Sequence, residues 1–399
     1  MRRKLLGRAL LTLFLTAALL FAVRFVTEKT VPACPEALGN TLDEEKITGT
    51  YLVKTAAELD DTLTIFGSSE LKTFEIPTHP ANFFAGKRCG FQVNLVGRGS
   101  CQSLVHAMAV GASEDSLKGK KIVLITAPQS YVEGGIAPDL FLANFSEQQL
   151  LTLLSDEDLS GETKQYLSSR VQSLIAQYNA ENGTNLQTHT AAGLLSRAYA
   201  SENTAEKVLL APYAALSKWL LDTKDLAISA RLIRAGDYTD GEAKTGPIDW
   251  EAEEAQAIET GKAQSTNNDF SMLDSYYQTY VGHRLSQMEG RDKDVCYDVS
   301  PEYDDLRCLF DICKAKNIKA LFVHVPVNGK WSDHTGLTQE RRQTYYENVR
   351  GLAAQYDNVT LLDLTAEENT PYFLCDTMHL GWLGWLAVDR AMEAFWNEG

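Results

Sequence analysis

Two stretches carry side chains that suit nucleophilic chemistry. Ser69 follows Thr64-Ile65-Phe66-Gly67, so it falls where an apolar strand turns into a helix. Free backbone N–H groups and a helix dipole favour an anion there, and ligands of parallel sheets collect at strand C-termini. A serine at that turn can attack a carbonyl while its own N–H stabilises the oxyanion. It is equally a preferred helix N-cap, which is its purely structural reading. Near the other end, Asp376-Thr377-Met378-His379 lies just before a helical pattern. That spacing lets a carboxylate and an imidazole face one cleft, where His379 takes and returns the serine proton and Asp376 sets its orientation. The bland reading is a capping aspartate beside a surface histidine.

The elements that must hold these residues read as strands alternating with helices. Leu63–Phe66, Phe91–Val96, Lys121–Thr126, Lys319–Val325 and Val359–Leu364 are short, β-branched or apolar runs, and a C-terminal helix is expected at about Gly384–Asn397. Continuous apolar strands of this kind indicate an α/β fold, a parallel sheet covered by helices on both faces. Residues 144–290 interrupt the rhythm as a large helical insertion, with helical spacing at Gln148–Leu154, Glu162–Asn179, Ala191–Ala200 and Val208–Asp222. Asp237–Glu259 reads as an acidic loop opening into an exposed helix. The alternative for the insertion is a second, independently folding domain.

The chain has 399 residues, 37 basic against 53 acidic, and a formal net charge of −16. An acidic surface argues against a nucleic-acid partner. Residues 1–26 nevertheless hold Arg2, Arg3, Lys4, Arg8 and Arg24 and no acid. Ala9 to Val23 is uncharged and rich in Leu, Ala and Phe. Those residues span roughly 22 Å as a helix, and Leu5, Leu6, Phe25 and Val26 extend them toward the about 30 Å of a hydrocarbon core. The basic tip is expected in the cytoplasm and the bulk of the chain outside. This makes 1–26 a single transmembrane signal anchor, 27–56 a linker, and 57–399 an extracytoplasmic domain. A cleaved signal peptide is the alternative, but no A-x-A site follows the apolar run.

Several chemistries lack their signature. There is no G-x-S-x-G, H-E-x-x-H or G-x-x-x-x-G-K-[ST]. Gly97-Arg98-Gly99 follows a strand, but position 102 is Gln, so the dinucleotide fingerprint fails. The seven cysteines form no C-x-x-C and no zinc-ligand spacing. No cofactor and no metal are expected. Disulfide connectivity is not readable from their spacing.

Phe66-Gly67-Ser68-Ser69-Glu70-Leu71 resembles block I of the SGNH/GDSL hydrolases, with Ser68 where most members have Asp. Val93–Gly99 resembles block II, which implies that Gly99 donates an N–H to the oxyanion, and Asp376-x-x-His379 matches block V. Block III normally supplies an asparagine as third donor; the corresponding strand end here offers Gln129. A narrower resemblance covers almost the whole chain. GSSEL, His79-Pro80, VNLVGRG, PQ after the Lys121–Thr126 strand, Glu133-Gly134-Gly135-Ile136, VPVNGKW and DTMHLGWLGW, behind a membrane anchor, together are similar to the DltD family. His334 stands where an aromatic residue is expected.

That resemblance implies D-alanylation of lipoteichoic acid at the outer membrane face of Gram-positive bacteria. The expected partners are a membrane-bound O-acyltransferase, a D-alanyl carrier and the polymer itself. Ser69 would accept the acyl group, and His379 would then deprotonate a glycerol hydroxyl. Two other readings stay open: an esterase, thioesterase or O-acetyl esterase on a wall polymer or mischarged carrier, and a non-catalytic scaffold for the acyltransferase. Arg98 could hold a polymer phosphate, and Trp331, Trp382 and Trp385 could line a groove. His79 could touch substrate or merely shape its loop, His106 is expected to serve core or surface packing, and His324 is expected as a satisfied buried histidine.

Overall fold

The computed structural model describes residues 2–236 and 246–398. The segment 237–245, which holds the first part of the expected acidic loop, lies outside the described residues; the helix expected after it runs Trp250–Gln264. Five parallel strands, β1 (Thr62–Gly67), β2 (Gln92–Gly97), β3 (Lys121–Thr126), β4 (Lys319–His324) and β5 (Val359–Asp363), form one sheet in the order β2-β1-β3-β4-β5. The α/β expectation holds, with each strand end within a residue or so of the expected run. β1 pairs with β2 over its whole length and with β3 on the other side.

Alternation along the strands splits the interior into two cores. Phe66, Val96, Ile122, Leu124, Ala320 and Phe322 point to one face and pack under the helices Ser103–Ala112, Pro301–Ala315 and Gln339–Ala353. Leu63, Ile65, Leu95, Val123, Ile125 and Val323 point to the other, beneath the C-terminal helix Trp382–Asn397. Each of these fully buried Leu, Ile or Phe side chains contributes about 1.5–3 kcal/mol relative to exposure. The β5 edge is short, only half-buried, and closed by an ion pair of Asp363 with Arg350 at 2.5 Å.

The insertion enters after β3 and leaves before β4. Its helices Glu147–Ser155, Gly161–Asn182 and Ala191–Ala200 deliver Leu150, Leu153, Leu167, Leu174 and Ala192 into the first core. Each has a side-chain cap of the expected kind; Ser160 Oγ, for example, accepts the Thr163 N–H at 3.0 Å. The next helix, Thr204–Ala235, is twice as long as its periodicity over Val208–Asp222 predicts.

The stretch expected as a linker is instead folded. Glu44–Thr48 and Tyr51–Ala57 are helical, and Ile47 and Val53 join the first core. Asp225 of the long helix fastens it by accepting the N–H groups of Thr50 and Tyr51 at 2.8 and 3.0 Å and the Gln148 amide at 3.0 Å. At the N-terminus one helix spans Arg2–Thr30, and its Leu6–Thr30 part is long and apolar enough to cross a membrane. All seven cysteines are free thiols.

Candidate active site

β1 lies between β2 and β3, so the strand order reverses beside it, the place where ligands of parallel sheets collect at strand C-termini. Ser69 begins a single 3-10 turn directly after β1. As the first residue of that turn its N–H has no intrahelical acceptor. Beneath it Glu70 is buried, and its Oε1 accepts the Ser68 N–H at 2.5 Å while Oε2 has no partner. Burial pushes this carboxyl up from its ordinary value, opposed by the hydrogen bond from Ser68. Gly97 ends β2 beside this turn: a Cβ there would sit 1.9 Å from the Gly67 carbonyl oxygen. His106, expected to serve either core or surface packing, is buried and meets that same carbonyl through Nε2 at 3.0 Å.

The aspartate and histidine sit at the tip of a tight loop closed by an antiparallel bridge between Leu374 and Leu380. Close approach of this loop to the helix that follows explains the glycines of its flank: a Cβ at Gly384 would lie 2.3 Å from the Phe373 oxygen. Within the loop Asp376 Oδ1 accepts the N–H groups of Met378 and His379, both at 2.8 Å. This Asx-type turn is the physical reason for the three-residue spacing. Asp376 Oδ2 is then left to meet His379 Nδ1 at 2.6 Å, and His379 Nε2 lies 2.8 Å from Ser69 Oγ. With Nδ1–H donating to the carboxylate, Nε2 is the free acceptor for the serine proton. Partial burial works against an imidazolium here, but the hydrogen bond and charge of Asp376, helped by Glu70 and Glu75, outweigh it and raise the His379 pKa.

The other proposed donors occupy the neighbouring loops. The Gly99 N–H donates to no acceptor among the described residues, and its carbonyl accepts from Asn144 Nδ2 at 3.3 Å. Gln129 stands in the 3-10 turn after β3, half-buried, with Oε1 unpartnered. It lines a cavity of about 300 Å³ shared with Thr377 and Met378, the residues between Asp376 and His379. Trp331 lines the same cavity, edge-on to Phe270.

Four candidates are placed elsewhere. Arg98 is committed: Nε donates to Asn144 Oδ1 at 2.6 Å, another nitrogen to the Ala143 carbonyl, and a third pairs with Glu44 at 2.9 Å. It braces the Gly97–Gly99 loop. His79 is buried between Phe74 and Trp385 and caps a short helix through Nδ1; burial depresses its pKa to about 3. Trp382 is fully enclosed, its Nε1 donating to Gln264, and Trp385 likewise donates to Thr73. Neither tryptophan faces a groove. His324 is buried as expected but not satisfied: both ring nitrogens lack hydrogen bonds, because Tyr345 and Tyr346 enclose it edge-on.

Residues that sequence reasoning passed over complete the site. Asn328, in the VPVNGKW stretch, caps Gly329–Thr335 by accepting the Trp331 N–H at 3.1 Å. Its amide donates to the Asp376 and Phe270 carbonyls at 3.2 and 3.1 Å. Asn328→Ala is expected to cost about 1–3 kcal/mol, from a lost cap and two orphaned carbonyls, measured by denaturant unfolding. Tyr276 reaches Thr377 Oγ1 at 3.2 Å from the insertion. Arg284, also from the insertion, lines the cavity and, among the described residues, spends only Nε, on the Tyr280 carbonyl at 2.6 Å. No pattern in the sequence marks it.

A serine, an imidazole and a carboxylate in one hydrogen-bonded chain, with unspent N–H donors beside the serine, can form and discharge an acyl ester. Comparison with known proteins places the chain. The family model described as DltD protein matches residues 39–397. Protein DltD of Bacillus subtilis (strain 168) is 31% identical over an alignment that covers 100% of this chain and 99% of that one. Protein DltD of Staphylococcus aureus (strain NCTC 8325 / PS 47) is 26% identical, covering 97% and 93%, and that of Lacticaseibacillus rhamnosus is 26% identical, covering 98% and 90%. Since the model match takes in every strand and each of Ser69, Gly99, Gln129, Asp376 and His379, the chain belongs to the DltD family.

Proposed function

We propose that this protein transfers a D-alanyl group to lipoteichoic acid through an ester on Ser69. The observation that carries the reading is the chain of contacts from Ser69 Oγ through His379 to Asp376, 2.8 and 2.6 Å long. His379 Nε2 takes the Ser69 proton as Oγ attacks the acyl carbonyl. The Ser69 and Gly99 N–H groups, with Gln129, receive the oxyanion. The intermediate collapses by expelling the donor's leaving group, to which His379 returns the proton. A glycerol hydroxyl of the polymer then takes water's place: His379 deprotonates it, it attacks the acyl-serine, and Ser69 is regenerated. The immediate donor is expected to be the membrane-bound O-acyltransferase or the D-alanyl carrier behind it. Trapping a D-alanyl ester on Ser69 by mass spectrometry, with the membrane partner and charged carrier supplied, tests this directly. An unmodified serine while the polymer is being esterified would reject it.

A polyanionic acceptor needs local cations on an acidic protein. Arg98 is engaged with Glu44 and Asn144, whereas Arg284 presents an otherwise unspent guanidinium to the cavity beside the triad. Arg291, its neighbour there, is held bidentately by Asp292. Arg284→Ala is therefore expected to raise KM for the polymer roughly 5- to 10-fold at low salt, less at high salt, with turnover of a small uncharged ester unchanged. Steady-state kinetics on both substrates at two ionic strengths checks this.

A further inference from the structure

The long helix Thr204–Ala235 crosses the N-terminal helix at one place. Phe21 packs at a tilt against Trp219 with ring centroids 4.7 Å apart, the Arg24 guanidinium lies 5.8 Å over the same indole and meets Thr223, and Arg234 reaches the Thr30 carbonyl at 2.9 Å. The paired numbers rise together, so the two helices run in the same sense. Everything that precedes Trp219 in the long helix therefore lies toward the apolar side of the contact, the side of Ala9–Val23. Val208 is about 16 Å along that direction.

That part of the helix is apolar over most of its circumference, the exceptions being Ser217 and Lys218, whose ammonium is paired with Glu114 and Asp222. Leu209, Tyr213, Leu216 and Leu220, spaced four, three and four, form one stripe at 78, 45, 56 and 40% exposure, with Val208 beside it at 71%. None of the described residues covers the stripe. The opposite face, with Ala211, Ala214 and Trp219, walls a cavity of about 520 Å³ against Leu151, Leu154 and Leu195, with Arg24 at its rim. A helix apolar on both sides belongs in a core or in lipid, and a water-facing patch of this extent is an interaction surface. Its continuity with a segment that can span a bilayer selects the occupant.

We infer that Val208–Leu220 is seated among the acyl chains of the outer leaflet beside the N-terminal anchor, as an interfacial second contact that holds the domain against the membrane. The inference rests on reading Leu6–Thr30 as the membrane-spanning segment, and not on the acyl-transfer chemistry.

The test uses the full chain in nanodiscs of phosphatidylcholine and phosphatidylglycerol doped with a phospholipid bearing a diazirine on its acyl chain. After irradiation, trypsin releases Ala9–Arg24, Val208–Lys218 and, as background, Gln343–Arg350. Labelling of both first peptides at ten times background or more is expected. Labelled Ala9–Arg24 with Val208–Lys218 at background overturns the inference while leaving the anchor intact; background labelling of both overturns the anchor reading as well. Crosslinking in native membranes of Val208–Lys218 to protein in place of lipid would assign the stripe to a partner and also overturn it. The double variant Leu209→Glu/Leu216→Glu, whose sites are exposed and remote from the triad, should keep its helical content and small-ester turnover and lose the Val208–Lys218 label at least tenfold.

Discussion

Ser69→Ala is expected to lower acyl transfer by roughly 10⁴-fold or more while leaving the protein folded. The asymmetry follows from what the hydroxyl touches. Its one side-chain contact is His379 Nε2, and the turn that presents it is held by other groups, namely Glu70 on the Ser68 N–H and His106 on the Gly67 carbonyl. Removing Oγ therefore alters stability by no more than about 0.5 kcal/mol. The readouts are D-alanine ester content of the polymer in cells carrying the variant, and unfolding of the purified chain. Normal ester content with a stably expressed Ser69→Ala protein would reject catalysis by the serine and favour a scaffolding role. Loss of ester with an unfolded protein would not discriminate, so Ser69→Cys, which preserves size, belongs in the same experiment.

Much of the fold was legible because parallel strands are buried on both faces and announce themselves as unbroken apolar runs. Lys121–Thr126 is the strand that its residues predict, to the residue. Helix Thr204–Ala235 was legible only over Val208–Asp222, since its C-terminal part is fixed by Arg234 on the N-terminal helix and by Asp225 holding Thr50 and Tyr51. For the same reason the segment after the anchor read as a linker: Lys46 gives it a charged look, yet its ammonium is buried against the carbonyls of Leu38, Gly39 and Thr41.

The site divides along a similar line. Ser69, Asp376 and His379 were legible because their chemistry depends on local spacing, a strand-to-helix turn and an Asx turn. Arg98 was misleading because sequence proximity to a functional loop says nothing about a side chain's partners, and here Glu44 and Asn144 claim it. Arg284 and Tyr276 were invisible because they reach the cavity only through the way the insertion folds back over the sheet. The same holds for the charge. A total of −16 would argue against a polyanionic acceptor, but the quantity that matters is which cation is left unpaired at the cavity.

Asp376→Asn carries the second large effect, and it separates orientation from simple charge loss. An asparagine can keep its oxygen on the N–H groups of Met378 and His379, so the turn survives. Its amide then donates to His379 Nδ1, which forces the proton onto Nε2 and leaves no base facing Ser69. A fall of roughly 10³- to 10⁴-fold in kcat/KM is expected. The pH profile gives an independent sign. In the native protein burial opposes the imidazolium but Asp376 outweighs it, so the His379 pKa lies above its ordinary value of 6.5. Activity should rise with pH through that raised value as the base becomes neutral. Stability should move the other way: a raised histidine pKa stabilises the fold fully below the unfolded value and loses that contribution as pH rises through the folded one. In Asp376→Asn the inflection in residual activity should shift to lower pH, and the fall in Tm across the same window should flatten. A native rate with an unshifted profile in this variant would mean that His379 is not the base, whatever its distance from Ser69.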